Sequence, residues 1–342
     1  MYDTTVTNVE FTKNTGKKHA CRIQYKQGGE ASYLRTTEQD LVFITLGSNT
    51  EQSGFGDQNH PAAVPDGIGA SWELWENIAA QDSAFGHPKK FYGDVAGSNW
   101  ESATITCTDD AIPQYIAQLT GRDPYNGKIV TGGPITARDS SWLMSWTVSR
   151  QPHFAVQKPN EIVAWVYGLF SDEPGDFIKK PMKECTGEEI TQEWLYHIGV
   201  PKDEIADLAK NHAVSIPCMM PYVTSYFMAR RAGDRPDVVP DNAKNFAFIG
   251  EHVETPADTV FTTEYAVRTA VYTLLELDRG VPEVFASSYD VRVLLRATSA
   301  LLDGKKITDV KLPTIQRLVL QKGLKMVDGT ILSDLLRQYN LI

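Results

Sequence analysis

Two short apolar runs, each ending in glycine, restrict the fold of this chain more than any other feature. The first is DLVFITLG at 40–47, and the second is NFAFIG at 245–250. Short continuous apolar runs of this kind are typical of strands buried on both faces of a parallel sheet. Because ligands bind beyond the carboxyl ends of such strands, Gly47 and Gly250 indicate a nucleotide-type site. Neither G-x-G-x-x-G nor a Walker loop follows a strand in this sequence, so the usual pyrophosphate-binding turn is not predicted.

Around these runs the pattern predicts a mixed fold that contains both helices and sheets. Partly alternating segments at 6–11, 19–27 and 31–35, with a Gly28-Gly29 turn, predict a small antiparallel meander. The continuous β-prone segment at 160–170 predicts another buried strand. Helical spacing predicts helices at 71–80, 111–120, 186–198 and 203–211, and another helix that begins after Asp258. After Pro282 the chain is predicted to be mostly helical, with amphipathic stretches at 291–302 and 314–320.

Two of these helices carry N-terminal signals. Ser71 is placed to cap the helix at 71–80, and Thr186 with Glu189 has the spacing of a capping box. Trp72 and Trp75 share one face of the first helix, and we expect them to pack in the core rather than contact a ligand.

Composition excludes several classes of function. The net charge of −10 argues against a nucleic-acid surface, because phosphate binding needs clustered Lys and Arg. The chain has no signal-peptide pattern and no apolar run of about 18 or more residues. We therefore expect a cytoplasmic protein whose partners are small molecules or proteins. No zinc site, other metal site or redox dithiol is predicted, since no C-x-x-C pair occurs among the four cysteines, Cys21, Cys107, Cys185 and Cys218.

The segment 131–154 holds the densest group of residues suited to binding. After a Gly132-Gly133-Pro134 turn, hydroxyl groups, Arg138, Arg150 and His153 interleave with large apolar side chains. Apolar walls with a few convergent donors suit an amphiphile whose head is an acid. His153 could equally be a hydrogen-bonded structural histidine, and the two arginines could form surface ion pairs. The apolar residues of the segment are Trp142, Leu143, Met144 and Trp146.

A second candidate lies at the start of the helix that follows Asp258. Asp258-Thr259 and Thr262-Thr263 approach this helix, where free backbone N–H groups suit a phosphate or an electron-rich ring edge. Thr262 or Thr263 could instead simply cap the helix. No G-x-S-x-G, catalytic-cysteine or H-E-x-x-H motif is present, so the residues alone assign no reaction.

Longer strings in the sequence resemble one protein family. Over essentially the whole chain, the sequence resembles the C-terminal portion of the oleate hydratase (myosin-cross-reactive antigen) family. The strings are SWLMSWTVSRQPHF at 141–154, AWVYGLF at 164–170, CTGEEI at 185–190, EWLYH at 193–197, CMMPY at 218–222, NFAFIG at 245–250 and FTTEY at 261–265.

The resemblance implies an activity, a cofactor and an architecture. It implies a flavoprotein that requires FAD and adds water across the cis double bond of unsaturated fatty acids such as oleate or linoleate. It also implies a homodimer in the bacterial cytoplasm that visits membranes peripherally. The implied fold is α/β (α+β mixed), in which 1–56 and 241–280 form part of a two-dinucleotide-type Rossmann-like FAD domain. Residues 57–240 would form the substrate domain, and 281–342 a C-terminal helical region.

The resemblance also assigns site residues. Thr147, Ser149 and His153 fall where the family's T-V-N-R-Q-P-H stretch contacts the fatty acid carboxylate. Ser149 departs from the family's usual Asn, and its shorter side chain is expected to hold the carboxylate less tightly or through water. The C-terminal share of the FAD site is expected to comprise Gly47, Ser48, Gly250, Glu251, Val260, Thr262, Thr263 and Tyr265.

The family's dinucleotide-binding loop and its catalytic acid and base match nothing in this sequence. We therefore expect a truncated or split-gene product that is inactive alone, with the catalytic residues unassigned. The alternative is a non-catalytic fatty acid or flavin-binding module, or one half of a split hydratase. A flavin-dependent amine oxidase or desaturase is disfavoured, because it would share the fold pattern without the strings at 141–154 and 218–222.

Overall fold

The computed structural model describes residues 1–255, 263–276, 295, 298–299, 302, 305–310 and 313–342. The chain divides into two compact units. Unit 1 comprises residues 1–105, 136–145 and 165–284, and unit 2 comprises 106–135, 146–164 and 285–342. The division into FAD, substrate and C-terminal segments inferred from the sequence stays a prediction.

The N-terminal strands form the predicted meander. Strands β1 (Thr4–Asn14), β2 (Lys17–Gln27) and β3 (Glu30–Arg35) pair antiparallel in that order. Gly28 and Gly29 join β2 to β3 with φ of 56° and 87°. A two-residue hairpin turn with positive φ at both positions matches the right-handed twist of the flanking strands, which explains the glycine pair.

The two apolar runs form a separate two-stranded parallel sheet. Strand β4 (Val42–Thr45) pairs with β11 (Phe246–Ile249), with Phe246 opposite Val42 and Ile249 opposite Thr45. β11 is buried as predicted. The prediction that β4 is buried on both faces is wrong, because Phe43 is 47% exposed and Thr45 is also exposed. Val42 and Ile44 face the core, while Phe43 and Thr45 lie on the opposite, exposed face of β4.

A six-stranded sheet forms the largest β layer of the described chain. Its order is β5, β10, β6, β9, β8, β7. The predicted strand at 160–170 is β9, but it alternates between covered and open positions instead of being buried throughout, with Trp165 36% exposed. The strands are β5 (Gly54–Phe55), β6 (Trp100–Cys107), β7 (Ile135–Thr136), β8 (Ser145–Thr147), β9 (Ile162–Gly168) and β10 (Ala213–Met220).

Most of the predicted helices are present. Those that the structure describes are α1 (Ala70–Ala79), α2 (Lys89–Tyr92), α3 (Val95–Ser98), α4 (Pro113–Thr120), α5 (Gly187–His197), α6 (Lys202–Asn211), α7 (Thr263–Glu276), α8 (Thr314–Val327) and α9 (Ile331–Gln338). Helices α5 and α6 pack against β10. Most of the predicted helix at 291–302 lies outside the described residues. Within the described chain, no helix is long and apolar enough to cross a bilayer.

Helix capping agrees with one prediction and corrects another. Thr186 and Glu189 form the predicted capping box at the start of α5. Ser71 does not cap α1: the N-cap position is Gly69, and the Ser71 hydroxyl donates to Glu51 at 2.5 Å. Because Gly69 has φ of 90° and lies against the Glu51 side chain, the helix begins one residue earlier than predicted.

An aromatic cluster forms the core beneath the β4–β11 sheet. Trp72 and Trp75 are fully buried, which confirms the core-packing interpretation of this pair. Their ring centroids lie 5.9 Å apart in a stacked arrangement. Phe85, Phe91, Phe246 and Phe248 complete the cluster. The strands and α1 are thereby fixed to each other by large rigid side chains, which bury much apolar area.

Candidate functional site

The strands that end in glycine run side by side in the same direction. Since Ile249 lies opposite Thr45 in the parallel pair, the carboxyl ends of both strands reach one edge. Gly47 has φ of 63° and Gly250 has φ of 106°, conformations that glycine adopts without a steric penalty. The structure therefore brings Gly47 and Gly250 to the same edge, as the two apolar runs predicted.

The two glycines differ in the space around them. A β-carbon at Gly47 would lie 2.7 Å from the Trp72 ring, whereas at Gly250 the nearest atom would be Thr45 Cγ2 at 3.8 Å. Gly47 thus allows the strand end to pack directly on Trp72. Gly250 keeps open space beside the end of β11, where another group can approach the backbone. Ser48, next to Gly47, is half-buried with its hydroxyl 3.3 Å from that of Thr50.

A chain of hydrogen bonds ties the two strand ends together. The side-chain amide of Asn49 donates to the Glu251 carboxylate. The Ser225 hydroxyl donates to Asn49 Oδ1 at 3.0 Å, and Ser225 Oγ lies 3.2 Å from His252 Nε2. The His252 ring also bonds to the Leu46 backbone. Residues after β4 and after β11 are therefore held in one arrangement through the short helix Ser225–Phe227.

His252 is enclosed by aromatic rings. Its ring centroid lies 5.0 Å from that of Trp72 and 5.6 Å from those of Trp75 and Phe91. Burial, reinforced by the nearby Arg235 cation, lowers the pKa of His252 from 6.5 to about 3. The imidazole is therefore neutral near physiological pH. Sequence reasoning gave His252 no role, although it follows the predicted strand end by two residues.

Helix α7 begins close to the end of β11. Its buried Tyr265 donates its hydroxyl to the Val253 carbonyl at 2.5 Å, and Arg235 donates to that hydroxyl at 3.4 Å. The Gly250 N–H donates to Thr269 Oγ1 at 2.9 Å. Tyr265 therefore fixes α7 to the loop after β11. Thr263 is exposed at the helix start, while the predicted cofactor residues Val260 and Thr262 lie outside the described residues.

The predicted carboxylate-binding residues lie on and just after β8. Thr147 is half-buried, and its Oγ1 lies 2.8 Å from Thr131 Oγ1. Ser149 and His153 are exposed. The His153 backbone N–H donates to Gln157 Oε1 at 2.7 Å, and the His153 ring packs edge-on against Phe154 at 4.6 Å. Thr131 thus orients the Thr147 hydroxyl, while the Ser149 hydroxyl and the His153 imidazole are accessible from solvent.

Gln151 organises the loop that carries Ser149 and His153, and sequence reasoning missed it. Gln151 is 4% exposed. Its amide donates to the Ser149 carbonyl at 3.0 Å and to the Val163 carbonyl at 3.2 Å. Its side-chain oxygen accepts from Val163 N–H at 3.1 Å and from Gln157 Nε2 at 2.6 Å. Because every hydrogen-bonding position of this amide is used, the loop is attached firmly to β9.

The apolar residues of segment 131–154 do not line an open pocket within the described chain. Trp142 and Met144 are 0% exposed and Trp146 is 2% exposed, so these side chains are buried in the core. Arg138 and Arg150 are exposed. The predicted interleaved pocket is corrected accordingly: the large apolar side chains are buried, and of the hydroxyl groups Ser145 on β8 is also buried whereas Ser149 after it is exposed.

Comparison with known proteins now identifies the family. The MCRA family matches residues 1–274. The chain belongs to the MCRA family. It is 49% identical to an oleate hydratase of Streptococcus pyogenes serotype M49 (strain NZ131), a match that covers 100% of this chain and 59% of that protein. It is 33% identical to a linoleate hydratase of Lactiplantibacillus plantarum, covering 82% of this chain and 52% of that protein. The chain thus spans little more than half the length of these relatives.

A third polar cluster in this MCRA-family chain joins Asp176, Glu193 and His197, whose potential ligand atoms lie within 4.8 Å of one another. Glu193 is 0% exposed. Its carboxylate accepts backbone N–H groups of residues 176–178 at 2.6 to 3.2 Å and lies 3.2 Å from His197 Nε2. Although burial acts to raise the pKa of Glu193, the bonds to His197 and the backbone lower it overall. The carboxylate is therefore occupied in fixing the loop to α5.

Proposed function

We propose that this chain forms the fatty-acid-anchoring part and half of the flavin site of an FAD-dependent hydratase. The reaction adds water to the double bond of an unsaturated fatty acid such as oleate, giving a hydroxy fatty acid. The observation that carries this proposal is the strip of Thr147, Ser149 and His153 in a chain that matches oleate hydratase along its whole length. Fatty acid hydration is named in both relatives.

The strip has the chemistry to hold a carboxylate. Hydroxyl and imidazole N–H groups donate to carboxylate oxygens, and such charge-assisted bonds are stronger than neutral ones. The contact between Thr147 and Thr131 orients one hydroxyl, and Gln151 holds the loop that presents the other two groups. Ser149 replaces the longer Asn common in the family, so the carboxylate is expected to be held more weakly at this position.

The ends of β4 and β11 support the proposed flavin site, because the two strands run parallel and both reach one edge. FAD would lie along Gly47, Ser48, Gly250 and Glu251, because Gly250 leaves space for close backbone approach. Hydration leaves the total oxidation level of substrate and water unchanged, so a bound flavin would supply shape and electrostatics rather than electrons. Asn49, Ser225 and His252 would position this edge. The remaining proposed cofactor residues are Val260, Thr262, Thr263 and Tyr265.

The hydration itself needs an acid and a base. One carbon of the double bond gains a proton and the other forms a bond to the oxygen of water, which must lose a proton. No residue of this chain is assigned to either transfer. We propose that both are supplied by the part of the family's proteins that lies outside the aligned stretch.

The decisive experiment is incubation of the purified chain with oleate and FAD. Hydroxystearate is measured by mass spectrometry, and flavin absorbance is measured after desalting. Retained flavin without product is expected. A non-catalytic binding module would give this same result. Adding the N-terminal part of the related oleate hydratase distinguishes a hydratase half from such a module, because only the hydratase half would then form hydroxystearate. Hydroxystearate from the chain alone would overturn the assignment of the acid and base. Binding of neither flavin nor oleate would refute the proposed function.

The anchoring strip is tested separately by binding. Thr147→Val with His153→Ala should weaken oleate binding by about a hundredfold or more, since two hydrogen bonds to a charged group are lost and each contributes roughly 1.5–3 kcal/mol. Ser149→Asn should strengthen it. Thr136→Val, which removes a strand threonine outside the strip, is the matched control. Unchanged affinity in the double variant would contradict this anchoring role.

We also propose that the intact protein is a cytoplasmic homodimer that associates peripherally with membranes. The exposed apolar side chains of the C-terminal helices support the membrane part of the proposal, because such side chains can enter a lipid interface. Vesicle flotation and light scattering test the two statements. The exposed residues are Leu318, Val319, Met326, Ile331 and Leu332.

A further inference from the structure

A cleft of about 740 Å³ lies within unit 1, at the C-terminal end of α1. It is separate in sequence from the carboxylate-binding strip and from the strand-end glycines. One wall is formed by the end of α1, and the others by residues around the start of α2 and a turn near Arg231. The lining residues are Glu76, Ala79, Ala80, Gly86, His87, Pro88, Lys89, Lys90, Arg231 and Asp234.

The two carboxylates of this cleft are already engaged. Glu76 accepts a hydrogen bond from the Tyr92 hydroxyl. Asp234 accepts from the Arg231 backbone N–H at 2.7 Å, and its other oxygen lies 3.2 Å from His87 Nδ1. Both acids are therefore held by neighbouring donors that belong to the scaffold of the cleft.

The cations of the cleft are in a different situation. Lys89, Lys90 and Arg231 are exposed, and none of the ion pairs formed within the described chain involves their side chains. Arg230, next to Arg231, is paired with Glu254 at 2.9 Å. In a chain with a net charge of −10, this cleft holds three cations against the two carboxylates of Glu76 and Asp234, and the excess of positive charge creates a local positive potential.

Backbone contacts hold the walls in place. The His87 N–H donates to the Asp234 carbonyl at 2.8 Å. Gly86 packs so closely that a β-carbon there would lie 2.7 Å from the same carbonyl. The segment that carries Lys89 and Lys90 is thus fixed to the turn that carries Arg231. A site whose walls are already positioned loses less entropy when it binds a ligand.

We propose that this cleft binds the anionic head of an amphiphile, with the carboxylate or phosphate between Lys89, Lys90 and Arg231. The uncharged wall made by Ala79, Ala80 and Pro88 would contact the first methylene groups of the tail. Such a head occurs on a free fatty acid and on an anionic phospholipid. The cleft would be a second lipid site, distinct in its residues from the strip at Thr147, Ser149 and His153.

The test uses the full chain in a Thr147→Val/His153→Ala background, so that the anchoring strip does not contribute. Binding of soluble decanoate is measured by calorimetry, and binding to phosphatidylcholine vesicles with and without phosphatidylglycerol is measured by flotation. Lys89→Glu/Lys90→Glu/Arg231→Glu should weaken the response in at least one arm by about tenfold, since each exposed charge pair contributes a few-fold at most. Added salt should weaken the same response.

The matched control is Lys17→Glu/Lys26→Glu/Lys210→Glu, which changes the net charge equally at three exposed lysines outside the cleft. Loss of decanoate binding in the cleft variant alone supports a free fatty acid as the source of the head. Loss of phosphatidylglycerol binding alone supports a lipid headgroup. Equal behaviour of the two triple variants in both arms would overturn the proposal. Circular dichroism of each variant checks that it is folded. If the chain with Thr147 and His153 intact still binds oleate, failure of this proposal leaves the proposed function unaffected.

Discussion

Glu101 on β6 is expected to make the stability of this protein fall as the pH rises. The side chain is 0% exposed, and neither carboxyl oxygen has a hydrogen-bond partner in the described part of the chain. Burial raises the pKa of Glu101 from 4.5 to about 9. The carboxyl group is therefore protonated in the folded protein near neutral pH, whereas in the unfolded chain it ionises at its ordinary pKa.

The sign and size of the effect follow from this difference. Because the folded pKa is raised, the stabilising contribution is complete below a pH of 4.5 and is lost progressively as the pH rises to about 9. Between these limits each pH unit costs about 1.4 kcal/mol. Raising the pH from about 5.5 to about 7.5 should therefore reduce the free energy of unfolding by ~3 kcal/mol through Glu101.

Urea unfolding of the wild-type chain and of Glu101→Gln at both pH values tests this reasoning. Gln keeps the shape and an uncompensated polar group but cannot ionise, so the variant should lose ~3 kcal/mol less than wild type between the two pH values. Glu184→Gln, which removes an exposed carboxylate, is the control for net charge. Equal losses in wild type and Glu101→Gln would show that the Glu101 carboxyl is solvated or paired in the folded protein.

Four other substitutions test the packing and hydrogen bonds of unit 1. Gly47→Ala should lower the free energy of unfolding by about 2–4 kcal/mol, because the new β-carbon would meet the Trp72 ring. Gly250→Ala should lower it by only about 1–2 kcal/mol, the cost of backbone strain. Equal shifts in the thermal midpoint of the two variants would contradict the packing argument. Glu193→Gln should lower the free energy of unfolding by about 2–4 kcal/mol at neutral pH and by less in acid. Because the folded protein lowers the pKa of Glu193 below its ordinary value of 4.5, the ionised carboxylate stabilises the fold at pH values above 4.5, and this contribution is lost at pH values below the lowered pKa. A loss in urea unfolding that does not change with pH would count against this reasoning. Ser225→Ala should cost about 1 kcal/mol and reduce flavin retained after desalting, and retention equal to wild type would remove Ser225 from the cofactor edge.

Local sequence patterns determined much of the fold. The paired glycines at 28–29 specify a hairpin turn, and Thr186 with Glu189 specifies the start of α5, because each signal depends on a few neighbouring residues. The apolar runs at 40–47 and 245–250 identified the strands that pair. Their parallel alignment was expected because short continuous apolar runs are typical of parallel sheets.

Other features depended on what packs against each residue. The sequence run at 40–47 does not show that Phe43 is exposed, because exposure depends on which elements cover each face of β4. Trp142, Met144 and Trp146 suit a pocket wall by residue type, yet the tertiary packing buries them in the core. Likewise, Ser71 has the residue type of a helix cap, but a contact with Glu51 uses its hydroxyl.

The sequence by itself determined the family and the strand ends at Gly47 and Gly250, because these are carried by contiguous residues. Only the tertiary structure decided that Asn49, Ser225 and His252 hold the strand ends together, and that Glu101 is a buried acid. Ser225 lies 176 positions from Asn49 in the chain and 27 from His252, so no local pattern connects them. Whether a polar side chain is buried or charged depends on the residues packed around it in the folded protein, because those residues determine its hydrogen-bond partners and the free-energy cost of ionising it.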